Sequence, residues 1–434
     1  MLRKGGTDLI DQATLLKATK KQEKKSKRNI IGWIRTEKGN IKASSPTNVA
    51  LFIQSQSCFD GVFRLNEFTG LIEVTKSIQK NGMQVKKGIL DDSASTEIRM
   101  YAERVMNITF TRDATDDGIQ KVARDHSYNP ILDYMNEAYD EWDKHSRLQH
   151  VFYDFLGVEE NETTDLITRL FFVGGVAKVY NPKTKFDFCL DLVGSQGTGK
   201  TVFLQRIAPL GYYTDQFTNF SDKDDIARMA RNFIVNDDEM VATDKCSFEE
   251  LKKFISLTEF SFRPPYNRHD IWKDKGFIMA RTTNNLYYLK DKTGDRRFLP
   301  VRCHRNHSKN VFDDLTDEYV KQLWGEAVNL YKSKTVDISA HSKEENELLN
   351  KQREQFKYVD SVEEKIDELM ENKFKNRCFI SSADIRYAVD PYSSPRDRKL
   401  SNQIMNVMVN KYHFKANQAK FIDGKTIKGY LKIT

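Results

Sequence analysis

One octapeptide, Gly194-Ser195-Gln196-Gly197-Thr198-Gly199-Lys200-Thr201, narrows the folds open to this chain more than any other stretch. It follows an apolar strand candidate, Phe186 to Val193, and runs into a helical segment, Val202 to Ile207. The pattern G-x-x-x-x-G-K-[ST] carries chemistry only in that strand–loop–helix setting. Glycines let the backbone wrap an anion without Cβ clashes. Successive N–H groups and the helix N-terminus then point at a phosphate. Gly194, Ser195, Gln196, Gly197, Thr198, Gly199, Lys200 and Thr201 are therefore the expected nucleotide cradle. Lys200 would meet the outer phosphates of ATP, and Thr201 would complete a Mg²⁺ shell. The expected fold is α/β, with the crevice at the carboxyl ends of the strands.

Hydrolysis also needs carboxylates beside the metal and the attacking water. Phe233-Ile234-Val235 is a short apolar strand that ends in Asp237-Asp238-Glu239. Asp237 or Asp238 would hold the metal shell; side chains alternate along a strand, so the sequence does not choose between them. Glu239 is the candidate for polarising the water. A third buried strand, Gly276 to Thr283, ends at Asn284, whose amide can reach the terminal phosphate or its water. Gly294-Asp295-Arg296-Arg297-Phe298 follows. Arg296 and Arg297 can neutralise charge on a transferring phosphoryl group, often that of a neighbouring subunit. Cys303, His304 and His307 lack the spacing of a metal site and read as ordinary surface residues.

The rest of the chain is conventionally globular. Hydrophobic residues make up 39% and charged residues 30%, with only 9 Pro and 21 Gly. The five cysteines form no C-x-x-C pair, which argues against a zinc ribbon or a disulfide framework. There is no apolar run of membrane-spanning length and no secretory pattern at the N-terminus, so a cytoplasmic protein is expected. The net charge is +7, but from Lys375 onward 12 Lys/Arg face 4 Asp, a local +8. Such asymmetry points to a polyanion, nucleic acid above all. Lys17, Lys20, Lys21, Lys24, Lys25, Lys27 and Arg28 form a second basic stretch. Three helical segments and an Asp423-Gly424 hairpin near the C-terminus suggest a winged helix. There Arg396, Arg398, Lys399, Lys411, Lys425 and Lys428 are candidate phosphate contacts. The alternative is a helical cap on the central domain.

Taken in order, Gly194–Thr201, Phe233–Met240, Phe262-Arg263-Pro264-Pro265-Tyr266, Thr282-Thr283-Asn284 and Gly294–Phe298 resemble the virulence-associated protein E family of prophages and pathogenicity islands. Leu323-Trp324-Gly325-Glu326-Ala327-Val328 and Asn129-Pro130 also fit, so the likeness spans roughly 125–335. That family is similar to superfamily 3 helicases with an AAA+ core. The resemblance implies an α+β N-terminal region (1–125), an AAA+ P-loop core (126–335) and a C-terminal winged-helix-like domain (336–434). It implies an ATP- and Mg²⁺-dependent DNA helicase-like motor that tracks single-stranded DNA through a homo-oligomeric, hexameric ring. By the same likeness Lys200 and Thr201 meet phosphate and metal, Asp238 and Glu239 form the second acidic motif, Asn284 senses the γ-phosphate, and Arg296 or Arg297 acts in trans. A hairpin before the Asn284 strand would carry the DNA contacts, with Arg263, Arg268, His269 and Lys273 on phosphates and Tyr266 on a base. One departure is Asn236, where the family often has an acid. Residues 1–125 lack zinc-ligand spacing and an acidic primase triad, so priming activity is not expected. The alternative function is an ATP-switched DNA-binding or loading protein without unwinding.

Overall fold

The computed structural model describes residues 32–262, 271–289, 295–340, 342–358, 361–394, 396–422 and 424–432. The N-terminal basic stretch and Arg263, Tyr266, Arg268 and His269 lie outside them.

The centre is a five-stranded, all-parallel sheet. Its strands are β6 (Cys189–Val193), β7 (Tyr213–Thr214), β8 (Ile234–Asp237), β11 (Ile278–Thr283) and β12 (Phe298–Arg302), in the spatial order β12-β6-β11-β8-β7. Parallel strands covered on both faces are apolar throughout. Every residue of β6 and β11 is buried. Alternation sends Leu190, Leu192, Ile234, Ile278 and Leu299 to one apolar layer. It sends Cys189, Val193, Val235, Met279 and Phe298 to the other. The first layer is closed by helices Pro130–Asp140, Glu162–Tyr180 and Asp317–Ser333. Gly174 and Gly175 sit inside the second of these helices. A Cβ on Gly174 would come within 2.2 Å of the Phe186 ring, so glycine admits the strand-side aromatic.

Two smaller units flank this core, each with its own apolar cluster. In the first, the antiparallel hairpin β1 (Phe63–Asn66) and β2 (Leu71–Val74) joins β5 (Gly88–Ile89), and β3 (Ile78–Lys80) pairs with β4 (Met83–Val85). Helices Pro46–Ser55, Asp92–Met106 and Arg112–Asp125 pack on them around Phe52, Phe63 and Tyr101. Asn66 Nδ2 reaches Tyr212 Oη at 2.8 Å, and the Phe68 and Tyr212 rings meet edge to face at 5.2 Å, fastening this unit to the core.

The second unit has helices Ser361–Glu371, Ser382–Val389 and Arg398–Asn410 over an antiparallel sheet of β13 (Phe379–Ser381), β15 (Lys425–Lys432) and β14 (Phe414–Ile422), in that spatial order. Ile366, Ile385, Ile404 and Met408 form its interior. Lys411, expected on phosphate, instead bonds Glu363 at 2.8 Å and Asp367 at 2.6 Å. The two carboxylates sit on the neighbouring helix and neutralise it, an arrangement invisible at a separation of more than forty residues. Before this unit, helix Lys343–Glu354 and the turn after it belong by packing to the core: Leu349 of the helix joins one layer and Phe356 of the turn the other. No helix among the described residues is long and apolar enough to cross a membrane.

Candidate functional site

The expected phosphate loop, Gly194–Thr201, leaves the carboxyl end of β6 and enters helix Lys200–Ile207. Gly197 and Gly199 have φ of 80° and 81°, the left-handed region that glycine enters without strain. Gly194 serves a different need. A Cβ there would lie 2.4 Å from the Cys303 carbonyl oxygen, because the chain leaving β12 presses against the loop. Backbone bonds from Gly194 to Thr283 (3.0 Å) and from Cys303 to Val193 (2.7 Å) fix both neighbours.

Lys200 folds its ammonium into the mouth of the loop. It donates to the carbonyls of Gly194 (2.7 Å) and Ser195 (3.1 Å), to Thr198 Oγ1 (3.3 Å) and to Asn284 Oδ1 (3.2 Å). Burial lowers its pKa, which marks a cation held with little water around it. Asn284 itself is exposed at the tip of β11. Because β11 lies between β6 and β8, its tip stands between the loop and the acids.

The acids divide sharply. Thr201 Oγ1 and Thr282 Oγ1 each donate to Asp238 Oδ1 at 2.7 Å, and Asn236 Nδ2 lies 3.3 Å from the same atom. Asp238 therefore faces the loop. Asp237 does not: its carboxylate accepts from the Ala242 and Thr243 amides at 2.8 Å each and from Thr243 Oγ1 at 2.6 Å. Of the two metal candidates, only Asp238 is brought to Thr201; Asp237 caps the next helix from the other face of the sheet. Glu239 is exposed and anchored by its amide to Thr282 Oγ1 at 2.9 Å. Glu239 and Met240 both adopt left-handed conformations, with φ of 53° and 57°. Each such non-glycine residue costs on the order of 1–3 kcal/mol and recurs at functional sites.

Can these residues hold Mg²⁺ and a triphosphate? Asn236 Oδ1 is buried with no hydrogen-bond partner, one acceptor left over beside Asp238. Together with the Thr201 hydroxyl, the Asp238 carboxylate, a dehydrated ammonium and a helix N-terminus, the set suits a hydrated divalent cation and phosphate oxygens.

Two expected contributors are elsewhere. Arg296 and Arg297 precede β12, whose first residue pairs with Cys189, the first of β6. The loop leaves the far end of β6, about 16 Å away at 3.3 Å per residue. Arg297 Nε bonds Ser256 Oγ at 2.9 Å, and Arg296 is exposed. Lys273, expected on DNA, is turned inward from β10 (Ile271–Asp274), which pairs with β9 (Glu259–Phe262). Its ammonium donates to the carbonyls of Phe68 and Ala230, the latter at 2.8 Å, and burial pushes its pKa down to about 8. It pins the base of the hairpin to the N-terminal unit and is not offered to a nucleic acid. Cys303, expected at the surface, is buried in the core instead, and no cluster of metal-ligating side chains occurs among the described residues.

Sequence reasoning missed two features. Arg281 on β11 is flanked in register by Asp191 on β6 and Asp237 on β8. It forms a bidentate pair with Asp191 at 2.8 and 2.6 Å, and its guanidinium lies 4.1 Å from the Phe298 ring centre. The signal was there, a charge at the same step of two buried strands, but only once the strands are known to be neighbours. Arg305, beyond β12, donates to the Gln196 carbonyl at 2.6 Å. No motif announces it.

No curated protein sequence matches the chain. Two apo structures of the NrS-1 C-terminal region, one described as the A form, are similar to it. Both are 14% identical, with TM-scores of 0.42 and 0.40, covering 90% and 89% of this chain and 100% and 99% of theirs. The model of the virulence-associated protein E-like domain matches residues 135–358, more than half of the 434 residues and the whole of the site just described, and the chain belongs to that family.

Proposed function

We propose that this protein is a Mg²⁺-dependent ATPase with an AAA+-type, superfamily 3-like core, and that it drives DNA replication of a prophage or other mobile element as a ring-forming, helicase-like motor. One observation carries the reading: Lys200 and Thr201 from the first turn of the helix after β6, Asp238 from the end of β8 and Asn284 from the end of β11 converge on one crevice through direct hydrogen bonds. Thr201 and Asp238 would hold the Mg²⁺ shell, and the ion would supply charge to the phosphate oxygens. Glu239 is left exposed beside them, where a water can be oriented. Arg296 and Arg297 cannot reach their own loop across the sheet, which supports action on a neighbouring subunit's nucleotide and hence a ring. The proposed units are 1–125, 126–335 and 336–434, with packing of the core continuing through Phe356.

For the third unit, three helices over an antiparallel β14–β15 pair support a winged-helix reading, with duplex DNA as its partner. Arg396, Arg398, Lys399, Lys425 and Lys428 are its phosphate contacts, and Lys411 is not. For single-stranded DNA, Arg263, Tyr266, Arg268 and His269 remain the proposed contacts. The test pairs Mg²⁺-dependent phosphate release with strand displacement on a forked DNA. Wild type should do both, and Lys200→Ala should do neither while keeping its unfolding midpoint. Undiminished release in Lys200→Ala would sink the assignment. Release without displacement would favour the nucleotide switch.

A further inference from the structure

The segment that leaves β12 crosses the outside of the phosphate loop and is held rigidly there. His304 N donates to the Leu156 carbonyl at 2.8 Å, and Lys309 pairs with Asp154 at 2.6 Å. Gly157 admits the crossing: a Cβ there would lie 2.7 Å from the Asn306 carbonyl oxygen and 2.9 Å from that of His304. Between these tethers, Arg305 extends over the loop and donates one N–H to the Gln196 carbonyl at 2.6 Å. Gln196 adjoins Ser195, whose carbonyl receives the Lys200 ammonium. The guanidinium is thus held one residue along the loop from a carbonyl that receives the Lys200 ammonium, the group that meets the outer phosphates in this loop pattern. It is exposed, and no carboxylate pairs with it among the described residues. A guanidinium has five N–H donors in a fixed fork, and the Gln196 contact takes one of them.

We infer that Arg305 is a second arginine of the ATPase site, supplied in cis, that binds the terminal phosphate of the nucleotide held by its own loop. The inference rests on the phosphate-loop reading above. Its chemistry differs from that of Arg296 and Arg297 by origin. In hydrolysis the water oxygen bonds the terminal phosphorus as the bond to the bridging oxygen breaks. The water's proton passes to base or solvent, and the departing diphosphate takes the electron pair. A cation fixed at the terminal oxygens offsets the charge that this redistributes. Anchored on a backbone carbonyl by one donor, Arg305 presents the others without having to be ordered at the moment of reaction.

The experiment compares Arg305→Ala, Arg305→Lys and Lys200→Ala with wild type. It measures the affinities of Mg²⁺–ADP and of a non-hydrolysable Mg²⁺–triphosphate analogue, and the turnover of ATP. Arg305→Ala should leave ADP affinity within about two-fold, erase the preference for triphosphate and lower turnover about 100-fold or more. Arg305→Lys should recover only part, because a point charge lacks the fork. Mixing Arg305→Ala with Glu239→Gln subunits should not restore turnover, as a residue acting in its own site cannot complement. Wild-type turnover and an unchanged triphosphate-to-diphosphate affinity ratio in Arg305→Ala would overturn the inference while Lys200→Ala still abolished binding. Nucleotide binding that survived Lys200→Ala would instead overturn the loop assignment beneath it.

Discussion

The Oγ1 of Thr201 and the Oδ1 of Asp238 are 2.7 Å apart, so the first turn of the helix after β6 and the end of β8 share one carboxylate oxygen. The adjacent Asp237 faces the other way and holds three donors of the following helix. Neighbouring acids thus have separable duties. Asp238→Ala should lower Mg²⁺-dependent phosphate release about 100-fold or more with a small change in unfolding midpoint. Asp237→Ala should cost about 1–3 kcal/mol of stability by leaving buried amides unpaired. Denaturant unfolding beside phosphate release separates them, and equal losses of activity without loss of stability would reverse the assignment.

The Arg281–Asp191 pair is fully enclosed, and Tyr288 also donates to Asp191. Burial alone would lower the pKa of the arginine, but the adjacent Asp191 charge and its hydrogen bonds raise it. Arg281→Met should destabilise the protein by about 3–5 kcal/mol because a carboxylate remains buried without its partner. The double variant Arg281→Met with Asp191→Leu should recover most of that loss. Chemical unfolding of both reads the coupling, and a single variant within about 1 kcal/mol of wild type would contradict it.

Lys275 is buried, donates to the Ile255 carbonyl at 2.6 Å, and burial pushes its pKa from 10.5 down to about 7. Between those values the unfolded chain binds more protons at this position than the folded one, so stability from Lys275 rises with pH across that window. Below about pH 7 both states are protonated and the penalty of the buried charge is complete. Lys275→Met should therefore gain most over wild type near pH 6 and lose that advantage steadily toward pH 10. Thermal unfolding of the pair at matched pH values tests this, the difference cancelling other buried groups. A constant difference would mean the lysine titrates normally.

Arg296 and Arg297 immediately precede the strand whose far end meets the loop Gly194–Thr201. If they serve a neighbour, Arg296→Ala or Arg297→Ala subunits should be nearly inactive alone and regain turnover when mixed with Glu239→Gln subunits. Titrating the ratio and following phosphate release gives a maximum at intermediate mixtures. A monotonic fall in every mixture would place the arginines outside a shared site.

Much of the site was legible because its parts are local. The loop, its strand and its helix are consecutive, and Asn284 and the acids each end an apolar run. What was not legible is what depends on neighbours. Alternation leaves Asp237 and Asp238 equivalent until Asp237 is seen to bond Ala242 and Thr243. Lys273 reads as a free cation until the Phe68 carbonyl, some two hundred residues earlier, is found beside it. Lys411 is neutralised by a helix that only tertiary packing brings near. Arg305 has no motif; its significance comes from β12 pairing with β6, which delivers the following residues to the loop. The N-terminal hairpin of β1 and β2, by contrast, is set by residues a few positions apart, with Leu65 opposite Ile72, since turn chemistry and strand patterning act over short separations.

Arg353, buried in helix Lys343–Glu354, grips the carbonyls of Arg296 and Phe298 at 2.7 and 2.9 Å. The splint for the paired arginines is thus supplied by a helix lying beyond the point where the sheet and its covering helices end. A chain severed near residue 335 would keep the whole of its proposed nucleotide cradle and forfeit the brace behind the two arginines proposed to serve a neighbour. On the proposed ring, such a fragment would take up its ligand while failing as a companion to the subunit beside it.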